Sequence, residues 1–273
     1  MAVTASWLGG CGRVCGSGLA WHLVPSAQIA LLVVAGMVSG LVNALAGGGS
    51  LLLFPALLAV GFPPLAANVT NSVIQCAGSA GLALGSPREL QGQRSRVLST
   101  IGVAVVGALL GSVLLLVLPA SVFDAVVPAL VAVASVLLGV QPWLGRWIGE
   151  PEPGAPDRRA ILLPAVFFAA IYGGYFGGAL GVILIATLAL TAHDDLRRLN
   201  AVKGVLSLII AAVSAVVFAI GAPVHWLVVA LLAPVNLIGG FLGARLAGRL
   251  PASVLRVAVV VVGLAVSIYL FVR

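Results

Sequence analysis

NALAGGGSLLLFP, residues 43–55, lies inside a stretch apolar enough to cross a membrane, yet it carries three consecutive glycines and ends in a proline. Those residues interrupt helices. The surroundings make the interruption more pointed. No Asp, Glu, Lys or Arg occurs between Arg13 and Arg88, between Arg159 and Asp194, or between Lys203 and Arg245. Hydrophobic residues make up 62% of the chain and charged ones only 8%, so no soluble domain of 273 residues can hide that much apolar surface. Apolar runs of about 18 or more residues read as transmembrane helices. Several such runs make a polytopic integral membrane protein, embedded in the lipid bilayer as its first partner.

The net charge of +7 does not point to nucleic acid. The basic residues stand singly or in pairs at the ends of apolar runs, where loop arginines belong, and no basic stripe carries interleaved aromatics. Cys11, Cys15 and Cys76 support neither a metal site nor a disulfide framework, because no histidine accompanies them and their number is odd. Residues 1–26 lack a clean signal-peptide pattern and read as a poorly ordered leader.

The chain is written twice. LPASV occurs at Leu118–Val122 and again, 132 residues later, at Leu250–Val254. The same offset pairs Asn68 with Asn200, Gly107 with Gly239, Gly111 with Gly243, Ser135 with Ser267, Gly49 with Gly181 and Leu52 with Leu184. One register held over most of each half marks a duplication. The halves are 27–142 and 159–273, joined at 143–158 by a linker within GRWIGEPEPGAPDRR, which holds three prolines and three glycines. Each half opens with a long glycine-interrupted apolar stretch, 27–60 or 160–192. Three ordinary spans follow: 67–85, 97–118 and 121–141, then 199–220, 224–246 and 253–272.

The arginines orient the halves. In the first they mark the loop between the first two ordinary spans, with Arg88, Arg94 and Arg96, and the exit at Arg146. In the second they mark the other two connections, with Arg197 and Arg198, then Arg245 and Arg249. Positive loops face the cytoplasm, so corresponding loops are expected on opposite sides, and the linker on the cytoplasmic side. The expected fold is all-α: two inverted repeats, each a glycine-broken opening helix or hairpin plus three transmembrane helices. Discontinuous helices at matching points of inverted repeats point to a transporter's substrate site.

The segment GLVNALAGGGSLLLFPALLAVGFPPLAANVTNS, Gly40 to Ser72, resembles the signature of the TauE/SafE family of sulfite-exporter-like anion permeases. YGGYFGGALGVILIATLAL with LNAVKGVLSL, and IGGFLGARLAGRLP, resemble the same elements in the second half. The likeness covers nearly the whole chain after residue 26. It implies a multi-pass bacterial plasma-membrane carrier of about eight spans that exports or exchanges sulfite, sulfonates or related small organic anions. The sequence departs from that pattern at Ala179 and Leu180, where the second glycine run is shortened.

An anion crossing a bilayer must exchange its water for fixed donors or positive charge. Gly47, Gly48, Gly49 and Ser50 are the first candidates. If a half-helix starts at Ser50, its free N–H groups favour an anion, with Ser50 capping or donating; close helix packing is the competing use of the glycines. Lys203 is the chain's only lysine, about one turn inside an apolar span. It either meets an anion or snorkels to the cytoplasmic surface. Asn68, Thr70, Asn71 and Gln75, with Asn200 and Ser207, supply neutral donors, and Asn68, Asn71 and Gln75 share one helix face. Asn43 and Asn236 read as structural. His193 and His225 read as interfacial, while Tyr172, Tyr175 and Trp226 suit an aromatic belt as well as a site.

No acidic residue lies deep in a span, Asp124 standing near a span start, so no carboxylate proton relay is visible. No Walker-type loop, nucleophile triad or metal-ligand grouping is present, and no cofactor is implied. The chain therefore reads as a secondary transporter of small anions working by alternating access, not as an enzyme. The alternatives are a passive anion channel and an intramembrane redox or enzymatic scaffold. A homo-oligomer is left open.

Overall fold

A computed structural model describes residues 26–147, 157–192, 194–247 and 252–272. The leader with Cys11 and Cys15, most of the linker, and His193 lie outside the described residues. Among the described residues ten helices run in order: α1 (Ser26–Leu45), α2 (Ser50–Ala59), α3 (Pro64–Gly85), α4 (Arg94–Val117), α5 (Ala120–Trp147), α6 (Arg159–Tyr175), α7 (Leu180–Thr191), α8 (Leu196–Gly221), α9 (Trp226–Leu246) and α10 (Ala252–Val272). The 132-residue offset carries each of α1–α5 onto the matching member of α6–α10.

Each glycine-broken opening stretch is two helices rather than one bent span. Among the described residues six helices, α1, α4, α5, α8, α9 and α10, hold segments long and apolar enough to cross a membrane. The 22-residue α3 is long enough but is not among them. It spends that hydropathy on a buried polar row, Asn68, Thr70, Asn71, Gln75 and Ser79. α2 and α7, at 10 and 12 residues, reach about half-way through a bilayer core at 1.5 Å per residue.

Small residues set the packing. Without a hydrophobic drive between helices in lipid, close backbone approach supplies the contact energy. α1 and α9 run parallel and touch at Gly40 against Asn236 and Gly240, then at Ala44 against Gly243. α4 and α6 run parallel in the same way, Gly107 on Phe167 and Gly111 on Ile171 and Tyr175. α3 packs on α9 through Gly78, Gly81 and Gly85. Thus α1 leans on the second half and α6 on the first. Large apolar side chains such as Val106, Leu110, Val113, Val257, Val261 and Ile268 point outward from α4 and α10, as a lipid-facing surface requires.

The helix ends fix relative direction. At one end of the bundle Arg96 pairs with Asp157 at 2.7 Å and Asp194 at 3.0 Å, Arg198 pairs with Asp194 at 3.2 Å, and the Arg198 guanidinium donates to the Gln91 carbonyl. Burial pushes the Asp194 carboxyl up. Hydrogen bonds from Gln93, Arg96 and the Asp195 N–H, with the Arg198 charge, outweigh that and hold it below the usual carboxylate range. At the other end Phe62 stacks edge-on against His225 at 4.6 Å, and the His225 N–H donates to Thr70 Oγ1 at 3.2 Å. The exit of α3 therefore meets the entry of α8, and the entry of α3 meets the exit of α8. These matching helices are antiparallel. Both opening stretches are hairpins. The Arg158 N–H donates to the Thr191 carbonyl at 2.8 Å, bringing the start of α6 to the end of α7. Likewise α1 begins, and α2 ends, at the His225 end of α9.

Candidate functional site

The two hairpin tips cross. α1 ends where the Val42 carbonyl accepts from the N–H groups of Ala46 and Gly47, and Gly47 turns the chain with φ +82°, a left-handed value open to glycine at little cost. Gly47 then lies against Gly181 at the head of α7, so closely that a Cβ on either would strike the other's backbone. The second tip turns at Gly177, φ +72°, and at Ala179, φ 55°. A left-handed alanine is strained, and this is the point where the second glycine run is shortened. The Tyr172 hydroxyl braces it by donating to the Gly178 carbonyl at 2.6 Å.

A helix that stops inside a membrane leaves carbonyls without intrahelical partners. Here the opposite half supplies them. The Asn68 side-chain amide donates to the Tyr175 carbonyl at 3.0 Å, and its offset partner Asn200 donates to the Ala44 carbonyl at 3.0 Å. Lys203 Nζ donates to the Asn43 carbonyl at 2.9 Å, which also accepts from the Gly47 N–H at 3.1 Å. Lys203 is only 1% exposed, so it does not snorkel; its ammonium points into the break. Among the described residues it has no carboxylate partner, and this one backbone carbonyl is its only hydrogen bond. A buried cation so thinly compensated is costly to keep.

Two hollows adjoin the crossing. The central one, about 30 Å³, is lined by Asn43, Ser50, Gln75, Ser79 and Ser207 and by Leu180 and Gly181 at the head of α7. It has room for a water or two, and the unpartnered buried atoms Gln75 Oε1 and Ser207 Oγ suit water. Gln75 also donates to Ser39 Oγ at 2.8 Å, and Ser39 donates to the Gly49 carbonyl at 2.8 Å, so one chain of bonds ties α3 to the first break. The second hollow, about 240 Å³, lies toward the Arg96–Asp194 end. It is bounded by Leu45 and Ala46 at the first tip, one face of α7, Asn200 and Lys203 on α8, Gln141 on α5 and Arg256 on α10.

The sequence candidates distribute as follows. Ser50 is the first residue of α2 but does not cap it; Gly49 holds that position without a side-chain bond, and Ser50 faces the central hollow. Gly48 and Gly49 are packing positions, against Leu138 and Ser39. Asn68, Gln75, Asn200, Lys203 and Ser207 gather around the crossing, and Asn71 is buried on α3. Thr70 does not: it points to the far end, where it holds the α8–α9 loop through His225. Tyr172 and Tyr175, for which an aromatic belt and a site were equally open, sit at the second break. There Tyr172 and Phe176, Phe54 and Phe176, and Phe123 and Tyr175 pack at 5.6–6.3 Å. Gln141 and Arg256 escaped the sequence reading. The 132-residue register carries no signal for Gln141 and offers only the pairing of Arg256 with Asp124.

A sequence model of the family described as Sulfite exporter TauE/SafE matches residues 32–270. The chain belongs to that family. TauE/SafE relatives agree in name and extent. A probable membrane transporter protein ORF9 of Sinorhizobium sp is 27% identical over 267 residues, covering 92% of this chain and 94% of its own. The probable membrane transporter protein YfcA of Escherichia coli K12 is 30% identical over 244 residues, 85% of this chain and 83% of its own. A probable membrane transporter protein of Haemophilus influenzae is 25% identical over 239 residues, 85% and 90% of the two chains. This TauE/SafE chain is a membrane transporter rather than an enzyme, and a polytopic one.

Proposed function

We propose that the chain is a secondary carrier of small anions, sulfite, sulfonates or related organic anions among them, working by alternating access where two inverted repeats meet. The observation that carries this reading is Lys203. A cation buried at the point where two broken helices cross, with one backbone carbonyl for company, has its charge matched only when an anion arrives. The half-helices α2 and α7 both start at the central hollow, adding partial positive charge from their N-termini. Among the described residues, no carboxylate lines either hollow.

The packing around the crossing supports alternating access. On the arginine-bearing side, which the positive-inside rule assigns to the cytoplasm, the 240 Å³ hollow adjoins the first tip. On the other side Phe54, Phe176, Phe123 and Tyr175 pack into a seal. Antiparallel α3 and α8, each with its polar row at the crossing, give the two states a common axis to rock about.

The test is flux. Purified protein in proteoliposomes, offered a panel of sulfite, sulfonates and carboxylates, is expected to transport at least one class, and trans-loaded anion should stimulate uptake. Uptake without counter-exchange stimulation identifies a channel, and no uptake of any panel member removes the reading.

A further inference from the structure

The larger hollow is not symmetric with what lies on the other side of the crossing, and the difference is one of charge. Under the 132-residue register Lys203 corresponds to Asn71 and Arg256 to Asp124. Two cations border the arginine-side hollow where the opposite half carries an amide and a carboxylate. Size changes in the same direction: Ala186 lines the hollow where the opposite half has Phe54, and Ala44 at the first tip stands opposite Phe176.

We propose that Arg256 and Gln141, with Lys203 and Asn200, form a one-sided binding site for a small organic anion at the arginine-bearing mouth of the carrier. The inference rests on the anion-carrier reading above and adds the site, its sidedness and the shape of its ligand. Arg256 lies one turn inside α10, and among the described residues its buried Nε has no hydrogen-bond partner. Among the described residues it makes no ion pair. Gln141 Oε1 is also unpartnered, and rotation of its side-chain amide presents an N–H₂ donor instead. Lys203 has donors to spare beyond its bond to Asn43. These donors converge on a hollow of about 240 Å³ whose remaining wall is apolar, including Val182, Ile185 and Ala186. A charged wall facing an apolar one fits a ligand with an oxyanion head and a short carbon stub. The head takes Arg256 and Lys203 and the stub lies along α7. Guanidinium suits a planar or trigonal array of anionic oxygens. The same head chemistry belongs to an anionic lipid, so the experiment must separate the two sources.

The full chain in nanodiscs of neutral phosphatidylcholine is titrated with sulfite, methanesulfonate and butanesulfonate, and transport is measured in inside-out and right-side-out vesicles. Binding is expected to tighten with chain length, by up to about fourfold per methylene. R256Q should weaken butanesulfonate binding roughly tenfold or more, with partial recovery in R256K. It should raise KM from the arginine-bearing side while shifting KM from the opposite side by less than about threefold. If R256Q fails to give a monodisperse protein, Q141A carries the same sided expectation, with a smaller loss. Wild-type transport with an unchanged sided KM in these variants overturns the site and leaves the carrier reading standing; absence of transport by the wild type overturns the carrier reading itself. Phosphatidylglycerol retained through purification, with no sulfonate binding in its absence, assigns the hollow to a lipid headgroup and overturns the proposal.

Discussion

The two hairpin tips share parts but are closed by different means. The first, at Ala46–Gly49, turns on Gly47 and is held by α8: Asn200 takes the Ala44 carbonyl and Lys203 the Asn43 carbonyl. The second, at Phe176–Ala179, turns on Gly177 and a strained Ala179. It is held by Asn68 alone from α3, and the remaining space is filled by Tyr172, Phe176, Phe54 and Phe123. A charge stands at one tip and aromatic rings stand at the other. The comparison teaches that a duplicated backbone need not give a duplicated site. Changes at a few offset positions, Lys203 for Asn71, Arg256 for Asp124 and Ala186 for Phe54, suffice to give the two sides different chemistry.

The largest expected effect tests the charge. Lys203→Ala should cut anion flux on the order of tenfold to a hundredfold, because a charge-assisted contact is lost at the crossing, while the protein remains monodisperse on gel filtration. Flux that is unchanged would reduce Lys203 to a cap on α1 and erase the functional half of the comparison. Next comes the seal. Phe54→Ala reproduces Ala186 on the opposite side. It should open the second tip, so that a cysteine placed at Asn71 reacts several-fold faster with an impermeant thiol reagent from outside, at a stability cost of about 3 kcal/mol. Unaltered labelling would mean that the rings do not gate that side.

A smaller effect tests what the tips have in common. Asn68→Ala and Asn200→Ala each remove one cross-half bond to a helix-end carbonyl and should each destabilise by about 1 kcal/mol in thermal unfolding. A loss confined to Asn200→Ala would show that only the charged tip depends on its clamp. The smallest concerns the ionic cluster at Asp194. Its carboxyl is held below the usual range, so its contribution is fully present above about pH 4, the ordinary Asp value, and is lost as pH falls through the lower folded value. Asp194→Asn should melt earlier than the parent at neutral pH and converge with it below that window; parallel melting curves at every pH would remove the cluster's role.

Much of this was legible in the chain. The offset of LPASV and of Asn68 with Asn200 anticipated two matching sets of helices, each opening on a glycine-broken stretch, because a duplicated fold keeps its turns and contact glycines in register; that each opening stretch is a hairpin was not readable from the offset. Gly47–Gly49 marked the first tip because a reversal inside a membrane needs left-handed backbone and close approach. Lys203 stood out as the only lysine in an apolar span. Thr70 misled because helix periodicity cannot tell which of two faces meets a neighbouring loop. Tyr172 and Tyr175 stayed open between belt and site because an aromatic beside a glycine looks the same at a lipid interface and in a break. Arg256 stayed hidden because an arginine one turn inside a span resembles any other span-end arginine until a three-dimensional hollow gathers Gln141 and Lys203 around it.

The exchange of helices between halves bears on ancestry. α1 is seated on α9 and α6 on α4, each through bare glycine backbone. A half-length chain would therefore expose its glycine grooves to lipid, with nothing to fill them but a second copy of itself. On the inverted-repeat reading, the single-module forerunner had to insert in both orientations and work as a pair. Residues 1–142 and 143–273 expressed as separate chains should then yield a folded transporter only when made together.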